Sequence, residues 1–142
     1  MSLAGFRILL VEDGPDNQRL ICHILRKAGA IVEVAENGKV AVCMLTRDGT
    51  IDGELVFPQL FNLVISDIQM PEIDGYALAK ILLAKGSRLP MMALTANAMS
   101  DDAQKCLNSG FSAYASKPID KDNLIATCHV CGALQFKPRL TC

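Results

Sequence analysis

The amino-acid sequence predicts an α/β fold: one domain built on a five-stranded parallel sheet, with helices alternating with the strands. Short, near-continuous apolar runs such as Ile8-Leu9-Leu10-Val11 and Leu63-Val64-Ile65 recur along the chain, as they do in strands covered on both faces. Each run is followed by a segment with apolar residues at helical spacing, so strands and helices alternate rather than segregate. At 142 residues and 51% hydrophobic content, the chain suits one domain with a sizeable core.

The first strand is Phe6 to Val11, ending in Glu12-Asp13. Gly14-Pro15 then opens a helix, since proline is favoured at the first helical position, and Leu20, Ile21, Ile24, Leu25 and Ala28 repeat along it at helical spacing. Gly29 closes that helix as a C′ residue. Ala30 to Ala35 is the second strand, and Asn37-Gly38 opens a second helix with Val40, Ala41, Met44 and Leu45 on one side. From about 47 to 60 the pattern lapses. Asp48-Gly49 and Asp52-Gly53 are turn dipeptides and Pro58 is a breaker, so this insertion reads as an extended loop with room for a short hairpin. Asn62 to Ser66 is the third strand and delivers Asp67, with Pro71 stopping the extended run. A third helix after Asp74-Gly75 carries Leu78, Ile81 and Leu82 and ends at Gly86. Pro90 to Thr95 is the fourth strand. The helix after it runs through Asp101-Asp102, Cys106 and Leu107 to Gly110. Ser112 to Ser116 is the fifth strand, ending at Lys117-Pro118, and the last helix presents Leu124, Ile125 and Cys128 on one face. The domain covers 1–142, with its core at about 6–132 and a polar tail at 135–142.

Right-handed crossovers put all the strand-to-helix loops at one end of the sheet, the end where ligands bind in open α/β folds. Four of those loops carry a reactive group: Glu12 and Asp13, Asp67, Thr95, and Lys117. The loop after the second strand offers only Glu36 and Asn37. In a flavodoxin-like order of 2-1-3-4-5 that strand is at the edge, and the other four loops cluster near strands one and three. Carboxylates facing each other at roughly 4 Å repel by about 4 kcal/mol per pair at an effective dielectric of ~20, so such a cluster calls for a cation or for protons. Hard oxygen donors without thiol or imidazole suit Mg²⁺ or Mn²⁺, and Mg²⁺ leaves a position for a phosphate oxygen. An aspartate can accept a phosphoryl group covalently, a transfer that depends mostly on positioning and charge neutralisation. Lys117 supplies a positive charge for it and Thr95 a hydroxyl.

These motifs closely resemble a known family. Val11-Glu12-Asp13, Ser66-Asp67-Ile68-Gln69-Met70-Pro71 with Asp74-Gly75, Leu94-Thr95-Ala96 and Ser116-Lys117-Pro118 match, in order and spacing, the receiver (CheY-like) domain of two-component response regulators. The resemblance covers about Phe6 to Gly132. The wording from Glu12 to Gln18 and from Asp67 to Pro71 is most similar to receivers attached to hybrid sensor histidine kinases. The resemblance implies that Asp67 accepts the phosphoryl group from a phosphohistidine on a histidine kinase or histidine phosphotransfer domain. It also implies that Asp13, Asp67 and the Gln69 backbone carbonyl hold Mg²⁺, with Glu12 acting through a water. Lys117 pairs with the phosphoryl oxygens, and Lys117-Pro118 is a cis peptide. Thr95 and Tyr114 form the switch: Thr95 swings toward the phosphoryl group and Tyr114 turns inward. The surface of the fourth helix, fifth strand and fifth helix then changes its partner preference and offers a homodimer contact. The domain is no enzyme by itself, beyond self-phosphorylation and a slow loss of its own phosphoryl group, whose lifetime Gln69 and Asn97 tune. Gly14, where the family often has asparagine, and the 47–60 insertion depart from the pattern. The insertion joins a helix to the next strand, which places Asp52 and Phe57 at the far end of the sheet from Asp67.

Other function classes fit less well. A net charge of −1 and a pI near 6.1 leave no basic footprint for nucleic acid or anionic membranes. No apolar stretch approaches a membrane span, and the N-terminus lacks the build of a signal peptide, so the expected location is cytoplasmic, as a free regulator or as the cytoplasmic part of a larger kinase. The six cysteines are scattered singly, as in a reduced protein. A dehalogenase-type phosphatase needs a second aspartate where Gln69 stands, and a nucleotide site needs a glycine-rich cradle in place of Glu12-Asp13-Gly14-Pro15. A flavin phosphate would be repelled by the acids. Cys128-His129-Val130-Cys131 has metal-like spacing but no second pair, and it continues the apolar face of Leu124 and Ile125, which favours packing. His23 reads as an ordinary residue among the core positions of the first helix. The remaining alternative is an interaction module that kept the fold without being phosphorylated; it is disfavoured because every acid, hydroxyl and lysine is in place.

Overall fold

A computed structural model describes residues 2–56, 60–70, 73–96 and 100–133. The expectations for Phe57, Pro58, Pro71, Asn97 and the 135–142 tail lie outside the described residues. The elements alternate in the expected way: β1 (Arg7–Val11), α1 (Pro15–Lys27), β2 (Ile31–Ala35), α2 (Gly38–Leu45), β3 (Leu63–Asp67), α3 (Gly75–Ala84), β4 (Met91–Thr95), α4 (Ser100–Asn108), β5 (Ala113–Ser116) and α5 (Lys121–Ala133). The five strands form one all-parallel sheet in the order β2-β1-β3-β4-β5. Where strand bounds differ from the sequence reading they move by about one residue, because the ladder rather than the apolar run decides where pairing stops. Asp67 is thus the last residue of β3 rather than the first after it.

The strands read as continuous apolar runs because both faces are covered. Ile8, Leu10, Leu63, Ile65, Met92 and Leu94 pack with α1 and α5 through Ile21, Leu25, Leu124 and Cys128. The alternate residues Leu9, Val11, Val64, Met91 and Ala93 pack with Ala41, Val42, Leu45, Leu78, Leu82 and Cys106 of α2, α3 and α4. The twofold alternation of side chains along a strand makes this division. Each fully buried leucine or isoleucine contributes about 1.5–3 kcal/mol.

Local chemistry sets the helix ends. Pro15 starts α1, Asn37 caps α2 by accepting from the Val40 amide at 2.9 Å, and Asp74 caps α3 by accepting from the Ala77 amide at 2.8 Å. Gly29 and Gly86, at φ of 107° and 86°, end α1 and α3 in the left-handed conformation that glycine adopts freely.

Several packing expectations are corrected. Leu20 is 46% exposed: α1 does carry an apolar stripe, at Ile21, Ile24 and Leu25, but Leu20 falls beside it. His23 is exposed, not among core positions, because the 100° step per residue turns it away from the stripe of Ile21, Ile24 and Leu25. Leu3, upstream of the expected core boundary, is fully buried; its amide donates to the Ala28 carbonyl at 2.8 Å. Cys128 and Cys131 are buried in the core, and burial raises their thiols to about 12 and about 11. None of the five described cysteines is in a disulfide.

The irregular stretch contains a short hairpin. Thr46 and Leu55 form an antiparallel bridge, the Arg47 amide donates to Glu54 O at 2.9 Å and the Val56 amide to Leu45 O at 2.9 Å. Leu55 and Phe61 are buried against the second face. The Lys85 ammonium, just after α3, donates to Gly53 O at 2.7 Å. This ties the hairpin to the end of the sheet where strands begin.

Candidate functional site

Strand register builds the site. Val11 is level with Ser66, Asp67 with Leu94, and Thr95 with Ser116, so the carboxyl ends of β1, β3, β4 and β5 form one rim. Hydrogen bonds carry the ladder past the strand ends: Glu12 N to Ala35 O at 3.0 Å, Ile68 N to Leu94 O at 3.1 Å and Lys117 N to Thr95 O at 2.8 Å. The chain therefore presents Glu12, Asp13, Asp67, Thr95 and Lys117 together, although Glu12 and Lys117 are far apart in sequence.

The three acids converge. One carboxylate oxygen from each of Glu12, Asp13 and Asp67 lies within 4.8 Å of the others. Glu12 and Asp67 are buried and Asp13 is exposed. The Lys117 ammonium donates to Asp67 Oδ2 at 2.9 Å and lies 3.8 Å from Glu12 Oε1. The Gln69 amide donates to Asp67 Oδ1 at 3.1 Å, which leaves Asp67 held at both oxygens. Burial, and then the neighbouring Asp67, push the Glu12 carboxyl up from 4.5 to about 7. Its Oε2 is buried with no hydrogen-bond partner among the described residues.

Such an orphaned acceptor is costly inside a protein. Three convergent carboxylates, without thiol or imidazole among them, form the hard-oxygen donor set that suits Mg²⁺ or Mn²⁺. The residues present fit a divalent cation, and they fit no soft metal.

Glycine is required at one point of this frame. The Gly75 amide donates to Ile68 O at 2.9 Å, and a Cβ there would stand 2.5 Å from Asp67 O and 2.9 Å from Ile68 Cα. The start of α3 thus lies directly on the backbone that carries Asp67.

The other sequence-derived residues fall as follows. Thr95 is buried at the end of β4, on the same rim. Tyr114 is 38% exposed on β5. Lys117-Pro118 is a cis peptide. Two residues escaped the sequence reading: Asn17 Nδ2 donates to Glu12 Oε1 at 2.9 Å, and Gln18 Nε2 donates to Glu12 O at 2.6 Å. Both lie in the Glu12-to-Gln18 wording that carried the family resemblance, but nothing in the sequence assigned them a contact with Glu12.

Comparison with known proteins agrees with this geometry. The family description "Response regulator receiver domain" matches residues 8–129. An uncharacterised 14.6 kDa protein of Leptolyngbya boryana is 42% identical over 126 residues, which is 87% of this chain and 88% of that protein. Histidine kinase 1 of Arabidopsis thaliana is 34% identical over 152 residues; the match covers 89% of this chain but only 13% of the kinase. Among solved structures, the receiver domain of the sensor histidine kinase PA1611 from Pseudomonas aeruginosa PAO1 has a TM-score of 0.76 at 33% identity, over 92% of this chain and 99% of that one. That structure has a magnesium ion coordinated in its active-site cleft. With the parallel sheet, its acidic rim and these relatives in agreement, the chain belongs to the response regulator receiver domain family of two-component signal transduction.

Proposed function

We propose that this chain is a phosphoacceptor switch: Asp67 takes a phosphoryl group from a phosphohistidine on a histidine kinase or histidine phosphotransfer domain. The observation that supports it most is the meeting of Glu12, Asp13 and Asp67 within 4.8 Å, with the Lys117 ammonium 2.9 Å from Asp67. In the transfer, an Asp67 carboxylate oxygen bonds to phosphorus as the phosphorus–nitrogen bond breaks. The imidazole nitrogen leaves with the electron pair. In a separate step, a water oxygen bonds to phosphorus as the bond to the Asp67 oxygen breaks, which returns the free carboxylate and inorganic phosphate.

Asp13, Asp67 and the Gln69 carbonyl would hold Mg²⁺ or Mn²⁺, with Glu12 acting through a water. When bound, the cation neutralises charge on the transferring phosphoryl oxygens. Lys117 exchanges its bond to Asp67 for one to a phosphoryl oxygen, and the Gln69 amide keeps the acceptor carboxylate oriented. Thr95 offers its hydroxyl to the phosphoryl group, and Tyr114 leaves its exposed position as Thr95 moves. The α4-β5-α5 face, where Leu107 and Tyr114 are exposed, is the surface that changes partners, homodimers included. The two states differ by a few kcal/mol in such switches, a gap that new charge-assisted contacts can close. We place the domain in the cytoplasm, without nucleic-acid or membrane contact of its own; no described helix is long and apolar enough to cross a membrane.

Intact-mass measurement after incubation with Mg²⁺ and a small phosphodonor tests the reading. The wild-type chain should gain one phosphoryl group and Asp67→Asn none. No mass gain in either would refute it in favour of an unphosphorylated interaction module.

A further inference from the structure

Glu12 is held from outside the acidic rim by two side chains on the first turn of α1. Asn17 Nδ2 donates to Glu12 Oε1 at 2.9 Å, and Gln18 Nε2 donates to the Glu12 backbone carbonyl at 2.6 Å. One bond fixes the carboxylate and the other its backbone, and both donors ride on one rigid helical turn. Without the Asn17 bond, the Glu12 carboxylate could turn about its last torsion, where barriers are low. With it, Oε1 is occupied by Asn17 and faces Lys117 at 3.8 Å, while Oε2 is buried with no hydrogen-bond partner among the described residues.

Gly14 makes room for this arrangement. A Cβ at Gly14 would stand 3.2 Å from Glu12 Oε1 and 3.6 Å from Asn17 Nδ2. The backbone there has φ −85° and ψ 120°, a conformation open to any residue. What glycine supplies at this position is space, not backbone freedom.

We infer that Asn17 is a positioning residue for the divalent-cation site: its hydrogen bond, in the gap left by Gly14, turns Glu12 so that Oε2 serves the cation and its waters. The inference rests on the reading of Glu12, Asp13 and Asp67 as a cation site. An uncharged amide suits the role, since it orients the carboxylate without neutralising the charge the cation needs. Outer partners of this kind govern metal affinity through the ligands they orient.

The test is Mn²⁺ binding to the whole chain, followed by electron paramagnetic resonance, for wild type, Asn17→Leu and Gly14→Ala, with melting temperatures in chelator. Leucine keeps the shape of asparagine and removes the donor. Asn17→Leu should bind Mn²⁺ about tenfold more weakly at a temperature where both chains are folded, with an altered line shape for the bound ion; the lost hydrogen bond to the buried Glu12 also lowers its metal-free melting temperature by a few degrees. Gly14→Ala, which crowds the same bond, should show a smaller loss of about threefold and decides the matter should Asn17→Leu fail to fold. Wild-type affinity and line shape in both variants would overturn the role of Asn17 while leaving the cation site intact, as would weaker binding with the line shape of the bound ion unchanged. A wild-type chain that binds no Mn²⁺ overturns the cation site and the inference with it.

Discussion

Replacing Asp13 with asparagine in metal-free protein isolates the repulsion among the clustered acids. The substitution keeps the shape of the side chain and removes one charge. At the 4.8 Å that bounds the three carboxylate oxygens, each like-charged pair costs about 3.5 kcal/mol at a dielectric of ~20 and about 0.9 kcal/mol at ~80. Asp13 is exposed, so the lower figure applies, and its two acidic neighbours together cost it about 2 kcal/mol. Lys117, 2.9 Å from Asp67 and 3.8 Å from Glu12, offsets part of this and leaves about 1 kcal/mol. For a chain of 142 residues that corresponds to a melting temperature about 3–4 °C higher in Asp13→Asn than in wild type. The assay is thermal unfolding by circular dichroism in chelator. The gain should depend on pH in a definite sense. Glu12 is raised to about 7 in the folded chain, so it is neutral and repels less below that value; the stabilisation is largest near pH 8 and smaller near pH 6. Added Mg²⁺ should reverse the order, because ligand binding stabilises only the chain that retains the site, by about 2.7 kcal/mol at a hundred times the dissociation constant. A variant that melts below wild type in chelator at pH 8 would refute the clustered-acid account.

Removing the cation rather than an anion should have the opposite sign. Lys117→Met leaves the buried Asp67 and Glu12 without their counter-charge and should lower metal-free stability by about 2 kcal/mol, less than for a fully buried pair because Lys117 is partly exposed, measured by the same melts. Gly75→Ala would set a Cβ 2.5 Å from Asp67 O; backbone cannot yield as a flexible side chain does, so a loss of about 1–3 kcal/mol in urea unfolding is expected, together with slower phosphoryl loading by intact mass. Cys128 and Cys131 should resist thiol reagents in the folded chain near pH 8 and react once it is unfolded. Their thiols are raised above the usual 9.0 to about 12 and about 11, so the stability they contribute is whole below pH 9. It is lost as pH climbs above that, by about 1.4 kcal/mol per unit for each thiol, which alkaline melts would register.

The order of elements was legible because each strand is covered on both faces and so announces itself as a run of apolar residues, and because proline, asparagine, aspartate and glycine mark the helix ends by local hydrogen bonding and backbone geometry. The strand-end acids, Thr95 and Lys117 were legible for a related reason: a polar residue directly after a buried strand needs a partner, and parallel topology sends all such ends to one rim. Which side of a helix is covered was harder to read. Leu20 has the chemistry of a core residue and the exposure of a surface one, since neighbouring elements, not helical period, fix how far the covered stripe extends. The short hairpin at Thr46 to Leu55 was within reach of its turn dipeptides, but the burial of Leu55 and of Leu3 depends on contacts with distant parts of the chain, to which local pattern is blind.

What the sequence determined by itself is therefore the alternation of strands and helices, the set of chemical groups at the strand ends, and through the handedness of crossovers the end of the sheet where they meet. Only the tertiary structure decided their distances: that Lys117 bonds Asp67, that one oxygen of Glu12 is taken by Asn17 and the other has no hydrogen-bond partner among the described residues, and that Gly14 and Gly75 hold open the space around them. The physical reason is that hydrogen-bond ladders between strands distant in sequence set these positions, and no local preference of the chain carries that register.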